Sequence, residues 1–201
     1  MTEKLQTLRD SAFARWSALL LIAMMMFFAY MFVDFLSPLK NALETSLHWD
    51  STTFGTYAAS EYFLNVFCLF LIFAGIILDK MGIRFTGLLS ASLMVIGAGI
   101  KFYAVSDLFI GSGFEAWLNS WWVALPATAK LACFGFMIFG CGCEMAGTTV
   151  SKAIAKWFKG RNIALAMGLQ LAIARFGTAT AILIAPMIVK QKALGDIYTL
   201  S

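Results

Sequence analysis

Residues Gly140 to Gly177, GCGCEMAGTTVSKAIAKWFKGRNIALAMGLQLAIARFG, decide how this chain is read. Two apolar runs of helical length flank a basic turn that carries Lys152, Lys156, Lys159 and Arg161. One acid, Glu144, lies inside the first run, and one base, Arg175, inside the second. A charge at membrane depth is costly, so it faces a protein interior or a watery cavity and marks a functional pathway. Two readings of the pair stand side by side: a substrate site, or an ion pair that locks two helices together.

The same apolar character runs through the rest of the chain. Of 201 residues, 61% are hydrophobic and 13% charged, with a mean hydropathy of +0.82. A soluble domain has no use for so much apolar surface. The expected class is therefore an all-α polytopic membrane protein. The net charge of +4 gives no pointer to nucleic acid, because the basic residues fall in short segments between apolar runs, a pattern that reports topology. An enzyme is not expected. His48, the single histidine, falls in a loop, and neither H-E-x-x-H nor G-x-S-x-G occurs, so no nucleophile and base converge. Cys68, Cys133, Cys141 and Cys143 all sit within apolar runs and read as packing residues. Their spacing does not match a zinc site, so neither metal nor cofactor is expected.

Five transmembrane spans are expected, at about 16–36, 53–78, 85–105, 131–150 and 163–189. Each is long enough to cross roughly 30 Å of hydrocarbon. Residues 1–15 form an N-terminal segment, and 190–201 a polar tail that stops before a sixth span. The first run exceeds the apolar core of a cleaved leader. With the N-terminus in the cytoplasm, the inner segments hold nine basic residues: Lys4, Arg9, Arg15, Lys80, Arg84, Lys152, Lys156, Lys159 and Arg161. The outer segments hold four: Lys40, Lys130, Lys190 and Lys192. That excess satisfies the positive-inside rule. All six tryptophans fall in loops or near span ends, as an interfacial belt requires. The expected location is the inner cell membrane, or the lysosomal membrane in a eukaryote.

Polar residues three or four apart share a helical face. Tyr30, Asp34 and Ser37 make one stripe, and Tyr57, Glu61 and Asn65 another. Gly140, Glu144, Gly147, Thr148 and Ser151 share a third, and Gly168, Ala172, Arg175 and Ala179 a fourth. The third span carries a single charge, Lys101, near its outer end, where a lysine can snorkel to the interface. At 1.5 Å per residue, Arg175 stands about 20 Å and Glu144 about 12 Å above the inner ends of their spans. Side chains tilt toward the helix N-terminus. In antiparallel spans these two tilts converge, which predicts a direct or water-bridged contact. Gly97 and Gly99 in the third span, and Gly135, Gly140, Gly142 and Gly147 in the fourth, predict close helix packing.

Gly75-Ile-Ile-Leu-Asp79-Lys80-Met-Gly82-Ile83-Arg84 resembles the loop motif between the second and third helices of the major facilitator superfamily. Gly75, Asp79, Lys80, Gly82 and Arg84 match that motif, while Ile77 and Ile83 depart from it. The resemblance implies a gating role: Gly75 admits a neighbouring helix, Gly82 allows the turn, and Asp79 and Arg84 form a charge relay. An anion at a helix C-terminus needs a partner, which in this family comes from loop arginines and a helix of the second half. The segments Ala155-Lys-Trp-Phe-Lys-Gly and Gly168-Leu-Gln-Leu-Ala-Ile-Ala-Arg175-Phe-Gly177 look like the subgroup that contains the lysosomal dipeptide uniporter and its bacterial relatives.

The resemblance implies five helices of a major-facilitator-type N-terminal six-helix half, in a carrier whose halves bind substrate between them at midplane. The expected partners are the lipid bilayer, a small-molecule substrate and the missing C-terminal helical half, with no nucleic acid. It also implies transport of dipeptides, with the α-ammonium on Glu144 and the carboxylate on Arg175. Tyr30, Asp34, Tyr57 and Glu61 would shape the cavity. The alternatives are an organic-anion or monocarboxylate carrier, read by Arg175 alone, and a non-transporting membrane subunit. The arginine motif of proton-driven members is missing from the fourth span, with Phe136 near its place, so proton coupling is not implied.

Overall fold

The computed structural model describes residues 11–191. Lys4 and Arg9 of the N-terminal segment and residues 192–201 of the expected tail lie outside the described residues. Seven α-helices follow in order: α1 (Ala12–Asp34), α2 (Lys40–Leu47), α3 (Ser51–Phe67), α4 (Phe70–Ala104), α5 (Gly113–Asn119), α6 (Ala127–Trp157) and α7 (Ile163–Gln191). No strand occurs among the described residues. Four segments are long and apolar enough to cross a membrane: Ala12–Leu47, Phe70–Ala104, Ala127–Trp157 and Ile163–Ile188. The chain is an all-α polytopic membrane protein.

Local chemistry sets most boundaries. Ser11 caps α1 by accepting from the Ala14 amide. Pro38 opens a 3-10 turn, Ser37–Leu39, that separates α1 from α2, since proline disfavours helix in the residue before it. His48 ends α2 in the left-handed conformation, at φ 56°. Asp50 then caps α3, its carboxylate accepting from the Thr53 amide at 2.7 Å. Hydrogen bonds from the Thr53 hydroxyl and then from its amide hold the Asp50 carboxyl below its ordinary pKa.

The expected span 53–78 is built in two pieces. α3 stops at Phe67, Leu69 turns left-handed at φ 51°, and α4 starts at Phe70. Neither glycine nor proline marks this break in the sequence. α4 itself is bent at Gly82, where φ is 82° and ψ 172°, a conformation that costs a residue with Cβ dearly. Beyond that bend, residues 83–104 turn back along α6.

α6 is the centre of the bundle. In its most apolar window 61% of residues are buried, against 22% or less in the other three candidate spans. The second part of α4 runs antiparallel to it on backbone-to-backbone contacts. A Cβ on Gly97 would stand 2.6 Å from the Gly135 carbonyl oxygen, and one on Gly142 2.7 Å from that of Ser90. α3 runs parallel to α6, with Tyr57 stacked on Phe136 at 4.7 Å and Gly140 against the Glu61 backbone. α1 lies antiparallel to α6, Trp16 meeting Phe158 edge-on at 5.3 Å. α7 packs parallel to α1, with Gly177 against the Phe27 carbonyl. Gly99 and Gly75 meet no neighbour within 4 Å, so neither makes the close helix contact expected of it here. Gly147 has only the Met26 methyl, at 3.9 Å.

Two further expectations change. Trp49 is not interfacial but fully buried, at 0% exposure. Its indole donates to the Thr128 hydroxyl at 3.0 Å, and its ring meets Tyr57 at 5.4 Å. Lys101 does not snorkel. It is 9% exposed and points inward, because it stands on the α4 face that Gly97 brings against α6. The third span thus has a polar inward face after all.

Candidate substrate site

Four helices carry the candidate residues. α1 supplies Tyr30 and Asp34, both partly buried; α3 supplies Glu61, 5% exposed; α6 supplies Glu144, partly buried; α7 supplies Arg175, exposed. The Arg175 guanidinium carbon lies 5.2 Å from the centre of the Tyr30 ring, a cation–π arrangement. Tyr30 is also within electrostatic reach of Glu144 and Glu61, and Glu61 within reach of Glu144 and Asp34. Thr178, one turn beyond Arg175 on α7, donates its hydroxyl to the Asp34 carboxylate at 2.8 Å.

Glu144 and Arg175 form no ion pair; the one salt bridge among the described residues is Lys152–Asp79. Of the direct or water-bridged contact expected from the converging tilts, the direct form is not made, and the Tyr30 ring lies against the guanidinium. Tyr57 is placed differently from the other five candidates. At 2% exposure it belongs to the core, and its buried hydroxyl has no hydrogen-bond partner.

At the other end of the bundle, Asp79, Gly82 and Arg84 of the turn, but not Lys80, line a cavity of about 630 Å³ with Lys152, Lys156 and Trp157. Asp79 takes its partner from α6: Lys152 Nζ lies 2.5 Å from its carboxylate and 3.4 Å from the Leu78 carbonyl. Among the described residues Arg84 makes no salt bridge, and the partner of Asp79 is Lys152 rather than Arg84. Sequence reasoning missed Lys152, Thr178 and the inward Lys101. For Lys101 a signal existed: it follows Gly97 by four residues and so shares its close-packing face.

Residues 19–193 match the Major Facilitator Superfamily. The chain belongs to the major facilitator superfamily. Its similarity reaches the lysosomal dipeptide transporter MFSD1 of Pongo abelii and of Homo sapiens, each 27% identical over 165 residues. The protein of Bos taurus matches at the same identity. These matches cover 82% of this chain but 31% of the relative, so the chain spans about a third of the length of the curated relatives it matches. No solved structure matches it.

Proposed function

We propose that this chain forms one wall of the cavity in a solute carrier, and that the carrier's substrates are dipeptides. Glu144 receives the α-ammonium and Arg175 the carboxylate. The observation that supports this is the unpaired state of Glu144 and Arg175. Two opposite charges from neighbouring helices both lie near Tyr30, and no salt bridge satisfies either. A guanidinium offers a carboxylate two parallel hydrogen bonds, and a partly buried carboxylate is a natural acceptor for an ammonium. Tyr30, Asp34 and Glu61 shape the wall; Tyr57 supports it from the core. The N-terminus lies in the cytoplasm, and the opposing wall comes from helices of a second half.

The test is uptake by the complete carrier in vesicles, with dipeptides blocked at one end. N-acetylation removes the charge that Glu144 reads, and C-terminal amidation the charge that Arg175 reads. A charged hydrogen bond is worth about 1.5–3 kcal/mol, so each blocked peptide should compete at least roughly tenfold more weakly than the free dipeptide. Glu144→Gln should erase the discrimination against N-acetyl peptides only. Monocarboxylates competing as well as free dipeptides would overturn the dipeptide reading in favour of an organic-anion carrier.

A further inference from the structure

Lys101 is the most deeply buried cation among the described residues, and the site above does not use it. Its ammonium comes from α4 and donates to the Phe32 carbonyl of α1 at 3.3 Å. Three aromatic rings enclose it, with centroids 4.1 Å away at Phe136, 5.2 Å at Phe139 and 5.6 Å at Tyr57. Glu61 is the acid within electrostatic reach, yet the two make no salt bridge.

Phe32 is one of the last four residues of α1, whose carbonyls have no partner inside the helix. A cation at a helix C-terminus also complements the macrodipole. Lysine usually supplies this from its own last turn; here it arrives from a neighbouring helix, and α1 has no basic residue in its last turn. The aromatic faces supply the rest of the solvation that burial removes. The position of this contact matters more than its strength. Tyr30 lies two residues before Phe32 and Asp34 two after it, so the carbonyl that Lys101 holds sits between the two α1 residues that meet Arg175 and Thr178.

We propose that Lys101 is a positioning residue for the substrate wall: from α4 its ammonium holds the last turn of α1 in place, and so sets Tyr30 against Arg175 and Asp34 against Thr178. This rests on the reading of Arg175 as a substrate-binding group, and it adds a residue that touches no substrate. Loss of the cation should let the end of α1 fray and blur the geometry around Arg175. It should not empty the core, because methionine fills nearly the same volume as the lysine stem.

The experiment compares Lys101→Met, Lys101→Arg and wild type in the complete carrier, reading three quantities. Amide hydrogen exchange over residues 30–39 should rise at least tenfold in K101M and stay within threefold in K101R. Detergent melting temperature of K101M should stay within a few degrees of that of wild type. Dipeptide KM should rise about tenfold in K101M with the maximal rate within threefold, and K101R should restore it, since guanidinium also donates to carbonyls and stacks on rings. Unchanged exchange over residues 30–39 in K101M would overturn the proposal. So would a melting temperature that falls together with the maximal rate in both variants, which is the mark of a packing residue alone. The exchange measurement uses no substrate: K101M with loosened α1 in a carrier that ignores dipeptides would leave Lys101 as the clamp on α1 and remove only the dipeptide reading.

Discussion

Lys152 on α6 binds the carboxylate of Asp79 at 2.5 Å and also reaches the carbonyl of Leu78, at 3.4 Å. The helical piece 70–81 ends at Gly82, so Leu78 and Asp79 belong to its last turn. There the macrodipole disfavours an anion and favours a cation. Lys152 supplies that cation from the next helix, and so one ammonium answers both the orphaned carbonyl and the misplaced carboxylate. Lys130 does the same for α5, donating to the Leu118 carbonyl at 2.8 Å and that of Trp121 at 3.3 Å. Lysines from neighbouring helices thus serve as C-terminal caps at several ends of this bundle.

This geometry predicts that Asp79 governs motion more than stability. The side chains of Lys152 and Asp79 are 42% and 78% exposed, and an exposed pair is worth about 0.2–1 kcal/mol. Asp79→Asn should leave equilibrium substrate binding within about twofold while transport slows several-fold. Lys152→Met should match it, and the swap Asp79→Lys with Lys152→Asp should recover part of the rate. Binding that collapses along with transport in Asp79→Asn would contradict this.

Two glycines two residues apart should behave oppositely. A Cβ on Gly97 would stand 2.5 Å from the Phe139 amide nitrogen and 2.6 Å from the Gly135 carbonyl oxygen. These are backbone atoms that cannot step aside, so Gly97→Ala should destabilise by about 1–3 kcal/mol through overpacking. Gly99 has nothing within 4 Å. Gly99→Ala should be neutral or stabilising by up to about 1 kcal/mol, from helix propensity alone. Thermal unfolding in detergent separates the two, and equal effects would show that the α4–α6 contact is looser than described.

A third prediction separates the clamp from a structural pair at Glu144 and Arg175. Arg175→Lys should cut dipeptide uptake at least tenfold, because an ammonium lacks the planar fork. The neutral double, Glu144→Gln with Arg175→Gln, should fold as well as wild type, since no salt bridge joins the two in this structure, yet it should not transport. Wild-type-like uptake by that double variant would remove both residues from the substrate site.

Topology is tested by labelling. Trp122 is 94% exposed, and Lys156 is exposed near the end of α6. In a background without native cysteines, Trp122→Cys should react with a membrane-impermeant maleimide from outside and Lys156→Cys only after permeabilisation. The warrant is the excess of basic residues on the Lys156 side. Labelling of both from outside would break the assignment.

Apolar runs of membrane length and the distribution of lysine and arginine were enough to read an all-α membrane fold, because in lipid every backbone polar group must be satisfied within a helix. Gly82 was legible for a similar reason: a turn so tight needs a residue without Cβ. The stripes of Tyr30 with Asp34 and of Glu61 with Asn65 followed from helical periodicity alone. Other features depended on which helix stands beside which. The break at Cys68 and Leu69 falls in an unmarked apolar run. The partner of Asp79, the burial of Trp49 and the inward turn of Lys101 each join residues about 70 or more positions apart. The missing Glu144–Arg175 contact is of the same kind: rise and tilt give the height of each side chain, but not the azimuth of one helix about its axis. That rotation is decided by close contacts such as Gly177 on Phe27 and Gly140 on Glu61, which turn α7 and α6 so that Tyr30, rather than Glu144, meets the guanidinium.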